Sequence, residues 1–453
     1  MRARLVLETG ARAYRIRGGR PLTGAIRAQT AKNAVSKQLV ASLLTAEPCR
    51  LLDVPDISEI DLALGMLTEI GATVSRDNSG AVDIQTADIA STAVGQRYSG
   101  VNRLPVLLIA PLLHRAGMAR VPVVGGDHIG ERPIDFHIAL LEQMGARIDA
   151  DRDGYTAKAD RLKGAVVRLP YPSVGATENA IQAACLADGT TVIHNAAIEP
   201  EIVDTVLFLQ KMGALIQIET DRKIVVEGVG RLSGATHRPM ADRIEVASFA
   251  MAAVATGGRI RISGADQRAM VTFLNVLRKV GGGFEIVDDA ITFFRARDTL
   301  RPIHIETDVH PGFMTDWQQP MVTLLTQAEG VSVLHETVYE NRFGYTGTLN
   351  DMGANITLTT ACLGGKPCRF LERNFPHSAV VQGATPLAGR RIEVPDLRAG
   401  FAYLLAALIA EGESEVLGAR FIERGYADVP GRLASIGADI EVVPALGSDL
   451  AAQ

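Results

Sequence analysis

Six times along the chain a helix-like apolar segment ends in a glycine, continues through Ala or Gly, and enters a short apolar strand. The junctions are Ile70-Gly71-Ala72, Met144-Gly145-Ala146, Met212-Gly213-Ala214, Val280-Gly281-Gly282, Met352-Gly353-Ala354 and Ile436-Gly437-Ala438. Successive junction glycines lie 74, 68, 68, 72 and 84 residues apart, so one supersecondary unit of roughly 70 residues is used six times. Each unit also holds an earlier helix rich in Ala and Leu, such as the one through Phe401-Ala402-Tyr403-Leu404-Leu405-Ala406, that runs into its own strand. The pattern predicts strand, helix, strand, helix, strand. Glycine closes the second helix because it alone enters the left-handed conformation without strain. Small residues on both helices predict a helical core with the sheets outside.

At 453 residues the chain is too long for one core, and six units divide into two sets of three. A hydrophobic content of 47 % with 21 % charged residues excludes a disordered chain. Net charge of −5 and 5 % aromatics argue against a nucleic-acid partner, which needs a basic face and stacking rings. The longest apolar runs, Leu104 to Leu113 and Phe401 to Ala410, are about half a bilayer-spanning helix. Residues 1–10 show no apolar signal core, so a cytoplasmic protein without membrane association is expected. Cys49, Cys185, Cys362 and Cys368 lie far apart except for the last two. Neither their spacing nor nearby histidines make a metal site, so reduced thiols, no metal and no cofactor are expected.

Basic residues recur in register with the repeats. Arg132, Arg268 and Arg424 each stand 13 residues before a junction glycine, and Arg342 stands 11 before one. These positions predict arginines near the starts of second helices, where the helix dipole and free amides already favour an anion. A guanidinium there adds a planar fork for phosphate or carboxylate. The competing expectation for any single one is a surface ion pair with a neighbouring acid. Lys32 and Arg398, at first-helix starts, extend the pattern to a shared anion site.

Seven segments, in order along nearly the whole chain, carry a family resemblance. They are Ala31-Lys32-Asn33-Ala34, Gly125-Gly126-Asp127-His128-Ile129-Gly130-Glu131-Arg132-Pro133, Ser173-Val174-Gly175-Ala176-Thr177, Glu199-Pro200-Glu201-Ile202-Val203-Asp204, Glu340-Asn341-Arg342-Phe343, Asp396-Leu397-Arg398-Ala399 and Arg424-Gly425-Tyr426. The chain resembles the enolpyruvyl transferases, closest to their amino-sugar branch. The resemblance implies an α/β fold, a two-domain inside-out α/β barrel of six βαβαββ repeats. Residues 32–240 would form one domain and residues 1–31 with 241–453 the other, with the active site in the cleft between them.

The implied reaction moves the enolpyruvyl group of phosphoenolpyruvate to the 3-hydroxyl of UDP-N-acetylglucosamine and releases phosphate, the first committed step of peptidoglycan synthesis. The substrates are then the expected partners, and the oligomeric state is left open. By resemblance Lys32, Asn33, Arg132, Arg398 and Arg424 bind phosphoenolpyruvate, a dense anion that needs fixed cations. Asp127 is the implied acid for C3 and Asp316 the base for the acceptor hydroxyl, with Lys32, Arg398 and Arg424 completing the catalytic set. On sequence alone Asp316 reads as a helix N-cap and Asp127 as an Asp in a Gly-rich turn. The UDP-sugar is expected against Arg103, Arg132, Pro133, Ile134, Asp135, Phe136, Tyr171, Pro172, Ser173, Val174, Asp316 and Val338.

Several positions depart from the family pattern. Most members carry cysteine where Asp127 stands, and fosfomycin alkylates that thiolate, so intrinsic fosfomycin resistance is expected. Tyr171 replaces a lysine found in many relatives, Gln29-Thr30 replaces Ser-Gly, and Phe421 stands near a usual histidine. The stretch from Thr359 to Val394 is expected to be an irregular insertion that explains the 84-residue spacing, with three roles open: covering the cleft, binding a partner or, in preference, decorating the surface. Two alternatives stay open: an enolpyruvyl transferase acting on another nucleotide or nucleotide sugar, and a non-catalytic UDP-sugar binder.

Overall fold

All six junction glycines have left-handed backbones, with φ of +120° at Gly71, +99° at Gly145, +102° at Gly213, +118° at Gly281, +114° at Gly353 and +97° at Gly437. A Cβ is strained there, which is why the repeat marks itself with this residue. The computed structural model from which these angles come describes residues 12–126, 133–366, 368–371 and 373–445. Strands Thr73–Arg76, Arg147–Asp151, Leu215–Glu219, Gly282–Val287, Ile356–Thr359 and Asp439–Pro444 follow the six glycines.

The described residues separate into two compact units, one of residues 30–126 and 133–240, the other of residues 12–29 and 241–445. In the first unit the inner helices are Lys32–Ala41, Ile109–Ala116 and Val174–Ala184; in the second they are Arg243–Ala255, Gln318–Leu325 and Leu397–Ile409. Every residue of Arg243–Ala255 and of Gln318–Leu325 is buried. Helices this apolar on all sides belong in a core rather than on a surface. Phe249 and Phe401 join two of them edge to face, with ring centroids 5.4 Å apart, a contact worth about 0.5–1.5 kcal/mol beyond its buried area.

Each unit carries three sheets among the described residues. The sheet built on Gly330–His335 shows the plan: His304–Glu306 runs parallel to it, Ser378–Gly383 antiparallel, and Ile356–Thr359 pairs with the far side of Ser378–Gly383. Parallel partners need the helical crossover that lies between them, whereas the antiparallel pair follows the closing glycine. The plan therefore has a sixth element, a final strand, beyond the five that the hydrophobic pattern predicts. Two sheets of the second unit borrow early residues. Thr23–Arg27 lies parallel to Arg259–Ser263, and Arg12–Arg17 sits between Glu413–Leu417 and Asp439–Pro444.

The expected irregular insertion over 359–394 needs correction. Ser378–Gly383 and Arg391–Glu393 are regular strands of the repeat, so the irregular part is confined to about residues 360–377. Prolines and glycines at the strand margins hid them. The thiols in this stretch are free, and two histidines that the spacing did not set beside them lie close. Strand register sets His335 opposite Ser378 and so carries His335 and His377 to Cys362 and Cys368, with the four possible ligand atoms all within 4.8 Å of one another.

Candidate active site

In the second unit, Asp316 lies within the short 3-10 turn Thr315–Trp317, and Trp317, not Asp316, occupies the N-cap of helix Gln318–Leu325. Freed from capping, the carboxylate faces two guanidinium groups. Its Oδ1 accepts a hydrogen bond from Nη2 of Arg342 and stands 3.5 Å from Nε of Arg398. Arg342 has a 1 % exposed side chain and Arg398 an 8 % exposed one, while Asp316 keeps 17 %. The base candidate is thus the member of this trio that solvent reaches most.

Glu336, fully buried, locks the surrounding backbone. Its carboxylate accepts from the Thr315 hydroxyl at 2.9 Å and from the amides of Val338 and Tyr339 at 2.7 and 3.2 Å. Burial pushes the Glu336 pKa up, against the Arg342 charge and these bonds. Burial likewise works against the Arg342 charge, but Asp316 and Glu336 outweigh it and the guanidinium stays protonated. The sequence set Arg342 among the arginines in register expected to meet an anion, yet gave it no place among the site residues. The structure instead buries it against Asp316, and Glu336 was passed over altogether.

Arg398 is positioned by its helix start. Asp396 caps helix Leu397–Ile409, accepting from the amides of Arg398 and Ala399 at 2.8 and 3.0 Å. Arg424 ends the short helix Ala419–Glu423 as its C-cap. The turn after it is clamped by Gln29, whose amide donates to the Gly425 carbonyl at 2.6 Å and accepts from the Ala427 amide at 3.0 Å. This gives the departure at Gln29 a structural task. Tyr426 is buried and its phenol is pushed up to about 12 by burial, with the Arg398 charge opposing. Among the arginines in register, Arg268 follows the bland alternative: its side chain is 90 % exposed and pairs with Asp266.

In the first unit, Lys32 and Asn33 open helix Lys32–Ala41, and Nζ of Lys32 stands 3.8 Å from the buried Glu59. Glu59 also accepts from Asn102 at 3.1 Å, beside Arg103. Arg103 donates to the Pro133 carbonyl at 3.2 Å, just ahead of Ile134 and helix Asp135–Gln143, which carries Asp135 and Phe136. Ser173, reached through the turn at Tyr171 and Pro172, caps helix Val174–Ala184 by accepting from the Ala176 amide at 3.4 Å. A Cβ at Gly175 would lie 3.3 Å from the His137 ring, so that helix start meets the 133–137 segment closely.

His137, which sequence reading missed, is held to a pKa of about 3 by burial and by Arg103, so its ring is neutral. Asn179 donates to its Nδ1 at 3.1 Å, leaving Nε2 to carry the proton. Arg103, residues 133–136 and the 171–174 turn therefore come together, while Val338 lies in the second unit beside Glu336. Asp127 and Arg132 lie outside the described residues. Gly125, just before them, passes so close to Gly100 that a Cβ would fall 1.8 Å from its carbonyl oxygen.

One further residue in this helix yields a pH test. Glu178 is fully buried 3.9 Å from Lys37, and burial first, then Glu201 and Glu199, lifts its pKa from 4.5 to about 7 against the Lys37 charge. The native state keeps this proton where the unfolded chain has lost it, so its contribution to stability falls as pH rises from about 4.5 through 7. Glu178→Gln is expected to melt at a higher temperature relative to the unmodified protein at pH 8 than at pH 5. Parallel melting profiles across that range would refute the shift.

A duplicated set of three βαβαββ repeats, with Lys32 and Arg398 at helix starts and a carboxylate between two guanidinium groups, defines an enolpyruvyl transferase. The chain belongs to that family: residues 16–433 match the family described as EPSP synthase (3-phosphoshikimate 1-carboxyvinyltransferase). It is 52 % identical over 95 % of its length to a UDP-N-acetylglucosamine 1-carboxyvinyltransferase of Protochlamydia amoebophila, covering 94 % of that protein. It is 50 % identical to the protein of the same name from Chlamydia pneumoniae, over 93 % of each chain. Its fold is similar to that of the enolpyruvyl transferase NikO from Streptomyces tendae, with a TM-score of 0.85 at 23 % identity, covering 96 % of this chain and 100 % of that one. EPSP synthase of Acinetobacter baumannii matches with a TM-score of 0.74 at 19 % identity, over 95 % and 100 % of the two chains. Among the described residues no helix is long and apolar enough to cross a membrane.

Proposed function

We propose that the protein transfers the enolpyruvyl group of phosphoenolpyruvate to the 3-hydroxyl of UDP-N-acetylglucosamine and releases inorganic phosphate, in the cytoplasm, as the committed step toward peptidoglycan. The observation that carries this reading is the identity of about half of all positions, over nearly the full length, with relatives bearing that activity's name. The arrangement at Asp316 supports it, because binding a nucleotide sugar alone needs no solvent-reached carboxylate between two buried guanidinium groups.

In the proposed mechanism Lys32, Asn33, Arg132, Arg398 and Arg424 hold the phosphate and carboxylate of phosphoenolpyruvate. Their charge is felt most strongly where water is excluded. Asp316 takes the proton of the acceptor hydroxyl, the oxygen attacks C2, and Asp127 gives a proton to C3. A tetrahedral ketal results. Loss of a proton from C3 back to a carboxylate then re-forms the double bond as the C2–O bond to phosphate breaks. Arg342 is a positioning residue that fixes the direction of the Asp316 carboxylate. Arg103, residues 133–136 and 171–174, and Val338 bind the UDP-sugar.

The test is phosphate release from phosphoenolpyruvate in the presence of UDP-N-acetylglucosamine, other UDP-sugars and free nucleotides. Turnover with UDP-N-acetylglucosamine as the preferred acceptor is expected. Preference for a different nucleotide, or no phosphate with any acceptor, would overturn the assignment.

A further inference from the structure

Four residues outside the proposed catalytic machinery share one small hollow in the second unit. His335 ends strand Gly330–His335, Ser378 opens its antiparallel partner, and the loop between strands Ile356–Thr359 and Ser378–Gly383 brings Cys362, Cys368 and His377 against them. The ligand atoms of the two histidines and two cysteines lie within 4.8 Å of one another, and Cys362 Sγ is 3.1 Å from His377 Nε2. Four ligands on a tetrahedral zinc ion stand about 3.3–3.8 Å apart, so a small contraction would seat the metal. We propose that this Cys2His2 cluster is a structural zinc site.

The hydrogen bonds around the histidines support a metal rather than a packed core. Ser378 donates its hydroxyl proton to the Ala361 carbonyl at 2.7 Å, so its oxygen must accept from His335 Nδ1 at 2.8 Å. The proton of His335 is thereby fixed on Nδ1, and the lone pair sits on Nε2. That Nε2 belongs to a fully buried ring and has no hydrogen-bond partner. An acceptor left this way in a dry interior is costly, and a metal removes the cost. His377 repeats the arrangement, donating from Nδ1 to the Phe375 carbonyl at 2.6 Å and aiming Nε2 at Cys362. Outer hydrogen bonds of this kind set the tautomer and angle of metal-binding histidines.

The rest of the loop fits as well. The Phe370 amide donates to Cys368 Sγ at 3.3 Å, as suits a thiolate. Gly364 passes so near the His335 ring that a Cβ would lie 2.3 Å from it, so a larger residue would block the approach. Two soft thiolates and two imidazoles select zinc among the common divalent ions and leave no open coordination position. Binding releases the two thiol protons, and the divalent charge is balanced by two thiolates. The site is structural, and its reach extends to the active residues: Arg369 and Arg373 of the stapled loop stand 3.3 and 3.7 Å from Glu340, two positions before Arg342.

The test uses full-length protein purified under reducing conditions without chelator. About one zinc per chain is expected by elemental analysis, and mercurial modification of the thiols should release it. Replacement by Co2+ should give the visible bands of a tetrahedral site with thiolate-to-cobalt charge transfer. A Cys362→Ser/Cys368→Ser variant should lose zinc and those bands, and chelation of the unmodified protein should lower its melting temperature reversibly. Should the variant not fold, the cobalt spectrum and thiol-triggered zinc release of the unmodified chain decide the question alone. Metal-free protein that takes up neither ion, or a Cys362–Cys368 disulfide in the reduced preparation, would overturn the proposal.

Discussion

Asp316→Asn is expected to lower kcat roughly 10³-fold, within the range that general base catalysis contributes, while both KM values stay within a few-fold. Asparagine keeps the shape and the acceptor oxygen that Arg342 and Arg398 contact, so the turn at Thr315–Trp317 should hold and the melting temperature should change little. What the amide lacks is basicity, so the acceptor hydroxyl has nowhere to send its proton. A smaller loss is expected for Arg342→Lys, which keeps the charge but not the planar geometry that directs the carboxylate. Steady-state kinetics separate the possibilities. An Asp316→Asn enzyme with undiminished kcat would mean that the carboxylate only neutralises two buried cations.

Asp127→Cys is expected to turn an enzyme indifferent to fosfomycin into one inactivated progressively by it. Alkylation requires a nucleophile to attack an epoxide carbon, forming a carbon–sulfur bond as the carbon–oxygen bond opens and its oxygen gains a proton. Thiolate does this readily, whereas a carboxylate, and still more a carboxylic acid holding the proton proposed for C3, is a poor substitute. Preincubation with the drug followed by dilution and assay gives the answer. Time-dependent loss of the unmodified enzyme would sink this expectation, as would an Asp127→Cys enzyme that the drug leaves fully active.

Much of the fold was legible because the repeat depends on a local rule. A left-handed turn after the second helix selects glycine, and each of Gly71, Gly145, Gly213, Gly281, Gly353 and Gly437 has the positive φ which that rule requires. The buried inner helices were legible for a similar reason, since segments such as Phe401 to Ala406 are apolar on every face. Pairing between distant strands was not. Nothing near Thr23–Arg27 announces that it will lie beside Arg259–Ser263. The same limit hid the Cys2His2 cluster, because His335 reaches Cys362 only through the register that sets it opposite Ser378.

For the candidate site, the sequence allowed the helix-start placement of Lys32, Asn33 and Arg398 to be read. The site was illegible where one side chain merely aims another. Arg342 and Arg268 stand at comparable distances before their glycines, yet one is buried against Asp316 and the other exposed beside Asp266. Only the surrounding packing separates them. His137 escaped notice because its neutral state depends on burial and on the nearness of Arg103.

The strand Arg12–Arg17, held between Glu413–Leu417 and Asp439–Pro444, and the strand Thr23–Arg27 beside Arg259–Ser263 carry a consequence for biogenesis. On the ribosome Arg12–Arg17 must wait, unpaired, until almost all of residues 413–444 have been made, and Thr23–Arg27 until residues 259–263 emerge. The half of the protein translated in the middle is complete first, and trimming roughly the leading thirty residues should cripple the late-made half while sparing its sibling.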